Sequence, residues 1–360
     1  MNKMILSEYG LDPDQCQIKS YGSGLINYTW KITNLHNDYI LQRINEKVFV
    51  HPADIAYNIH TIANYLNLVH PNYLFTVPVQ TKDGEEIVFD REEGFFRLFP
   101  FVKNSHTIDV VMNPQQAYEA SRQFGMFTKL LSGISASELR LTIPDFHNLS
   151  LRYSQFEKAL ENGNEHRITQ STEAIRFIQD NKYILEQFER ISTNPNFKLR
   201  VTHHDTKISN VLFDKDDKGI CVIDLDTLMP GFFISDVGDM MRTYLSPTSE
   251  EEKDFSKIEV RGDFFRAILE GYLGEMRDEL SDDEINHFVY AGKFMIYMQA
   301  IRFLTDHINN DVYYGAKYPD HNFVRAGNQL VLLEKLMAEE KHFNEMVEGY
   351  RKESPAVLTS

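Results

Sequence analysis

The sequence predicts an α+β chain of two lobes, the first rich in strands and the second mostly helical. Three observations carry that prediction. Strand-like segments crowd into residues 18–100, apolar residues recur at helical spacing through most of the remainder, and a polar loop with the spacing HxDxxxxN lies in the helical part. At 360 residues, 42% of them hydrophobic and 12% aromatic, the chain has enough apolar material for a substantial core divided between two lobes. The expected bounds are 1–100 and 101–360, joined by a hinge at about 99–104.

In the first lobe "IKSYGSG", "NYTWKIT" and "DYILQRI" read as strands, as do "EEIVFD" and "GFFRLFPFV" after the turn at Asp83-Gly84. One helix interrupts them. Between Asp54 and Val69 the residues Ile55, Ile59, Ile62, Ala63, Leu66 and Val69 recur at helical spacing, as expected of a helix packed on one face of a small sheet. Past "FPFVKNSHTID" the character changes. "PQQAYEASRQFGMFTKLLSG" opens with Pro114 and closes with Gly133, a start and stop suited to a long helix. "QSTEAIRFIQDNKYILEQFERI", "DFFRAILEGYLGEM" and "NHFVYAGKFMIYMQAIRFLTDHI" are helical in pattern and length. Strands are expected in this part only around 199–226, and "YRKESPAVLTS" as a frayed tail.

Charge narrows the partners. With 37 Lys and Arg against 53 Asp and Glu the net charge is -16, so the overall field opposes nucleic acid and anionic lipid, and an anionic ligand needs a local positive pocket. The apolar run before Glu8 is too short for a secretory signal, and no stretch is long and apolar enough to span a bilayer. Cys16 and Cys221 stand far apart, the latter in the apolar run "GICVIDLD". A reduced, soluble, cytoplasmic chain is expected.

The chemistry concentrates in "VTHHDTKISNVLFD", residues 201–214. His203, Asp205 and Asn210 fit the pattern by which a kinase loop places a base and a magnesium ligand. Asn210 runs into "VLFD", the polar break "KDDKG" and "ICVIDLD", a β-hairpin pattern that returns Asp224 to the loop. Phosphoryl transfer asks the protein mainly for alignment and charge neutralisation. Asp205 can accept a hydroxyl proton, Asn210 and Asp224 offer hard oxygen ligands, Lys207 can meet the transferring group, and His203 can hold the loop. The competing reading takes His204-Asp205 as part of a metal hydrolase site, which needs further histidine ligands; His166 and His287 are isolated.

The segment "THHDTKISNVLFD…VIDLDTLMPGFFISDVGDMMR" resembles the core of the aminoglycoside phosphotransferase and choline kinase-like superfamily, whose fold is similar to that of protein kinases. With "GSGLINYTWKI", "YILQRIN", "RLFPFVKNS", "IPDFHN", "IDLDTLMPG" and "RFLTDHINNDVYY", the ordered set is most similar to the N-acetylhexosamine 1-kinases, from about residue 20 to about 330. The resemblance implies an ATP-dependent kinase acting on the anomeric hydroxyl of N-acetylglucosamine or N-acetylgalactosamine. It implies Asp205 as base, Asn210 and Asp224 as Mg2+ ligands, Arg302 and Tyr313 as sugar contacts, and Asp236 and Asp239 as carboxylates that brace the loop. Position 204 is His where the superfamily often has Gly.

The nucleotide side is less sharply written. Gly22, Ser23 and Gly24 lie between two strands, where backbone N–H groups can approach phosphates or simply close a hairpin. The strand that normally carries a phosphate-binding lysine reads "YILQRIN", without one. Gln42 and Arg43 point to opposite faces, so one of them enters the cleft; Arg43 is the expected phosphate clamp, a solvated outer-face arginine the alternative. "RLFPFVKNS", with Phe101, suits an adenine slot or ordinary core, and Asp226 either reaches a second magnesium or braces the loop. Alternatives to the sugar are another small alcohol on the same machinery and a catalytically silent nucleotide-binding module.

Overall fold

The computed structural model describes residues 4–22 and 27–353, so the expectations for Ser23 and Gly24 lie outside the described residues. After a short helix α1 (Met4–Glu8), strands β1 (Gln17–Ser20), β2 (Tyr28–Thr33), β3 (Asp38–Arg43), β4 (Val88–Asp90) and β5 (Gly94–Pro100) form one antiparallel sheet in the order β1-β2-β3-β5-β4. The β2–β3 turn is set by Asn34, whose side-chain oxygen accepts the N–H groups of His36 (2.9 Å) and Asn37 (2.8 Å). One sheet face is apolar: Ile32, Leu41, Phe96 and Leu98 pack on Ile5, Leu6 and Tyr9 of the N-terminal segment.

The helix α2 (Pro52–Val69) forms where the periodicity predicts. Ile55, Ile59, Ile62 and Leu66 belong to the large core beside Phe124, Phe127 and Leu228, against which Phe95 and Phe99 of β5 also pack, while α1 covers the opposite face of the sheet. Asn58, fully buried on the same stripe, donates to the carbonyls of Arg140 and Leu228 at 2.8 Å each. An amphipathic period gives the buried stripe but not its partner.

The second lobe holds α3 (Pro114–Leu130), α4 (Leu149–Asn162), α5 (Glu165–Gln170), α6 (Thr172–Asp180), α7 (Tyr183–Thr193), α8 (Phe233–Tyr244), α9 (Gly262–Met276), α10 (Asp282–Asn286), α11 (Phe288–Ile308) and α12 (His321–Glu353). Asn113 caps α3 by accepting the Gln116 N–H at 3.0 Å, with Pro114 in the first turn. The long pattern through 170–191 divides at Asn181, whose side-chain amide donates to the Phe177 carbonyl at 2.9 Å as α6 ends. Tyr350–Glu353, expected as tail, extend α12. Helix α11 is buried along nearly its whole length and packs against α4, α8 and α12, as an all-round apolar helix must.

Two small two-stranded units interrupt the helices: β6 (Arg200–Thr202) with β9 (Met229–Gly231), and β7 (Val211–Phe213) with β8 (Gly219–Val222). The β7–β8 hairpin matches the pattern in the sequence; β9 lies beyond the expected stretch. The segment leaving the sheet docks on this hairpin, where His106 and Phe213 exchange both main-chain hydrogen bonds at 2.9 Å. No helix among the described residues is long and apolar enough to cross a membrane.

Candidate active site

The HxDxxxxN segment connects β6 to β7 and is pinned from below by α8. Asp236, in the first turn of α8, accepts the main-chain N–H groups of His203 (3.0 Å) and His204 (2.7 Å). The Thr206 hydroxyl donates to the Asp236 carbonyl (2.7 Å), and Tyr244 donates to the Thr206 carbonyl (2.6 Å). Burial pushes the Asp236 carboxyl up to about 7, against the two N–H bonds that favour its charge. His203 is fully buried; its Nε2 donates to the Ile223 carbonyl (3.0 Å) and its Nδ1 accepts the Asp205 N–H (3.3 Å). Burial holds its pKa below the usual value, so the ring is the neutral tautomer that these two bonds require.

His204 adopts a φ of +66°, the left-handed region that favours glycine, which gives a physical reason for Gly at this place in the superfamily. Its ring is tied to Thr202 Oγ1 (2.7 Å) and faces His147 Nδ1 (3.3 Å), and burial pushes its pKa down to about 4. Room for the ring comes from Gly231 across the β6–β9 pair, where a Cβ would run into Thr202 Oγ1 and the imidazole. Gly231→Ala is therefore expected to lower stability by about 1–3 kcal/mol in a urea titration, and an unchanged midpoint would refute the packing argument. With both ring nitrogens engaged, His204 is no metal ligand. Among the described residues no group of three or more His, Cys, Asp and Glu is disposed to hold an ion.

Asp205 projects from this frame. Its Oδ1 lies 2.9 Å from Lys207 Nζ and its Oδ2 accepts the Asn210 amide at 3.1 Å. Burial would raise its pKa, but the Lys207 ammonium and its hydrogen bond outweigh that and hold the group ionised. Lys207 is in turn kept protonated by the Asp205 charge, against burial. Behind them Asp239 is paired with Arg242 (2.9 Å), and Arg242 reaches Glu250 (2.7 Å).

Asp224 follows β8 at a φ of +59°, a strained conformation of the kind found at functional sites. The adjoining Ile223 N–H donates to the Asn210 carbonyl at 2.9 Å, which draws Asn210 and Asp224 together. Burial, then the nearby Asp226 and Asp205 carboxylates, push Asp224 up to about 7. This crowd of negative charge is what a divalent cation relieves. One carboxylate and the Asn210 amide oxygen are hard ligands, and a two-ligand set suits an ion that keeps waters or phosphate oxygens in its shell, so the residues fit the group. Asp226 faces the sheet instead, with Oδ2 accepting the Asn27 amide (2.7 Å) and Oδ1 paired with Arg97.

On the sheet side, Gly22 has a φ of +79°, and Phe101 makes an edge contact with Tyr21 (6.1 Å) beneath the Lys31 ammonium (3.8 Å). Arg43 is not brought to the acidic loop. It lies on the apolar sheet face, its guanidinium 5.7 Å from the Tyr28 ring centroid. The residue of β3 that faces the loop is Gln42, paired in register with Arg97 of β5. Sequence reasoning missed Arg97, although a lone charge within the apolar run "GFFRLFP" is a legible signal.

Arg302 and Tyr313 share a cavity of about 440 Å³ with Arg152, Asp306 and Tyr314. The Arg302 guanidinium lies over Tyr314 (5.5 Å) and Phe146 (5.7 Å). Phe146 stacks on His147 (4.4 Å), whose Nδ1 lies 3.3 Å from His204 Nδ1, so a chain of ring contacts runs from Arg302 to the residue before Asp205. Tyr313 is 72% exposed; its main-chain N–H donates to Asp306 (2.7 Å) and its ring meets Tyr314 edge-on (4.8 Å).

A small antiparallel sheet over a helical lobe, with this loop between them, is the fold of the protein-kinase-like phosphotransferases. The chain belongs to the phosphotransferase enzyme family, APH, whose model matches residues 17–279. Similar solved structures include a microcompartment-associated aminopropanol kinase (13% identity, TM-score 0.66, covering 95% of this chain and 97% of that one). An aminoglycoside phosphotransferase from Alicyclobacillus acidocaldarius matches at 13% identity and TM-score 0.65, covering 97% of each chain. A Plasmodium vivax ethanolamine kinase matches at 14% identity and TM-score 0.58, covering 91% of this chain and 87% of that one. The family makes the chain a small-molecule phosphotransferase; the structural likenesses, at such low identity, establish the fold.

Proposed function

We propose that the chain is an ATP-dependent kinase that phosphorylates the C1 hydroxyl of an N-acetylhexosamine. Asp205, ionised and within reach of the loop surface, orients the hydroxyl and takes its proton; Lys207 offsets charge on the transferring phosphoryl group. Asn210 and Asp224 hold Mg2+, which supplies neutralisation of the phosphate oxygens when bound. No residue is asked to carry the phosphoryl group, so transfer is direct. Gly22 and Phe101 fall on the nucleotide side, and Arg302 and Tyr313 on the acceptor side.

The observation that carries the acceptor class is the charge of the cavity. Arg152, Lys158 and Arg302 line it, and Asp306, the single acidic side chain among its described lining residues, already accepts the Tyr313 and Tyr314 N–H groups (2.7 and 2.9 Å) and the Asn322 amide (3.1 Å). A cationic acceptor such as an amino alcohol or an aminoglycoside finds no free counter-charge there. A neutral ring with hydroxyl and acetamido oxygens finds guanidinium donors and aromatic faces.

The test is ADP release with Mg-ATP against N-acetylglucosamine, N-acetylgalactosamine, glucose, galactose, choline, homoserine and an aminoglycoside. Stimulation confined to the N-acetylhexosamines is expected. Stimulation by choline or the aminoglycoside instead would overturn the acceptor assignment and leave the phosphotransferase intact.

A further inference from the structure

The sheet of this protein lacks the usual lysine, yet a cation is buried where one is needed. Arg97 is 2% exposed in the middle of β5, and its side chain leaves the sheet on the same face as its cross-strand partner Gln42. Gln42 Oε1 accepts both Nε (3.1 Å) and Nη2 (2.8 Å), which fixes the plane of the guanidinium. Nη2 is also paired with Asp226, two residues beyond Asp224. Nη1 is buried and has no hydrogen-bond partner. An unpartnered donor on a fully buried, rigidly held cation is costly unless a ligand completes it.

We infer that Arg97 is the residue through which the β-lobe binds the nucleotide's phosphate chain. Nη1 donates to a phosphate oxygen, Gln42 occupies the lysine's strand position and serves to aim the fork, and Asp226 acts as the counter-ion that keeps the guanidinium in place. Arg43, on the other face over Tyr28, takes no part. The inference rests on the nucleotide-dependent reading above and adds the particular contact. It also explains why a glutamine can stand in this strand: a neutral acceptor there holds an arginine reaching across from β5, where a second cation would repel it.

The experiment compares the affinities of ADP and adenosine for the full chain by calorimetry in metal-free buffer. Arg97→Met alone strands Asp226 in a buried site, so the informative variant is Arg97→Met/Asp226→Asn, which removes the pair as a unit, set beside Asp226→Asn. The parent and Asp226→Asn are expected to prefer ADP over adenosine. The double variant is expected to lose about 10- to 100-fold of that preference, the weight of a charge-assisted hydrogen bond, while adenosine affinity is kept. An unchanged ADP-to-adenosine ratio in the double variant would reduce Arg97 to a strut between the lobes. If the parent itself fails to prefer ADP, the nucleotide reading falls, a result distinct from failure of the Arg97 assignment.

Discussion

Asp205→Asn is expected to lower turnover by about 10²- to 10⁴-fold, the usual weight of a positioned general base, while nucleotide affinity is retained. The substitution is nearly isosteric. Its amide oxygen can still accept the Asn210 N–H that now binds Oδ2, so the loop keeps its shape. What disappears is the negative charge of the proposed base, balanced by Lys207 at 2.9 Å. Lys207 is 44% exposed at its side chain, so water can replace the lost partner at small structural cost. Single-turnover kinetics with saturating acceptor, together with ATP binding by calorimetry, separate the two effects. A variant that turns over at the parent rate would remove Asp205 from the chemistry. A variant that loses nucleotide binding as well would mean that the residue organises the cleft.

The second large effect falls on Asp236, which never touches a substrate in the proposed reaction. Asp236→Ala leaves the N–H groups of His203 and His204 without acceptors in a site where both residues are buried. At about 1–3 kcal/mol for each of the two buried unsatisfied donors, unfolding free energy is expected to fall by about 2–6 kcal/mol in a urea titration. Turnover falls with it, because His203 and His204 lead directly into Asp205. Asp236→Asn keeps one oxygen acceptor and is expected to lie between the parent and the alanine variant. A loss below about 1 kcal/mol in Asp236→Ala would show that water or a loop shift satisfies the two donors, and that the carboxylate is not what holds the loop.

These two residues differ in how readable they are. Asp205 stands in a local pattern, five residues before Asn210, and both are carried by a loop and hairpin whose strand and turn signals are contiguous. Asp236 was singled out only by family resemblance; its contact to the loop spans 32 and 33 residues and a change of element. The same contrast runs through the fold. The five sheet strands, α2 and α3 appear close to where alternation, helical period and the Pro114 and Gly133 signals put them. The break between α6 and α7 and the reach of α12 to Glu353 are not legible in the period, because a side-chain cap decides the first and the contacts of Arg351 with Asn286 and Arg277 hold the second.

By itself the sequence determined the α+β class, the order of its elements, the loop with its paired hairpin, and the residue types that phosphoryl transfer requires. All of these are set by interactions between near neighbours: period, turn chemistry and short spacing. Only the tertiary structure decided which strand residue faces the acidic loop, that Arg97 and Asn27 meet Asp226 from 129 and 199 residues away, that α2 joins the core around Phe124 and Leu228, and that Arg152 and Arg302 line one cavity. Strand parity says that Gln42 and Arg43 part company. Which of them enters the cleft depends on the face that α1 covers, and that is settled by burial between segments far apart in the chain.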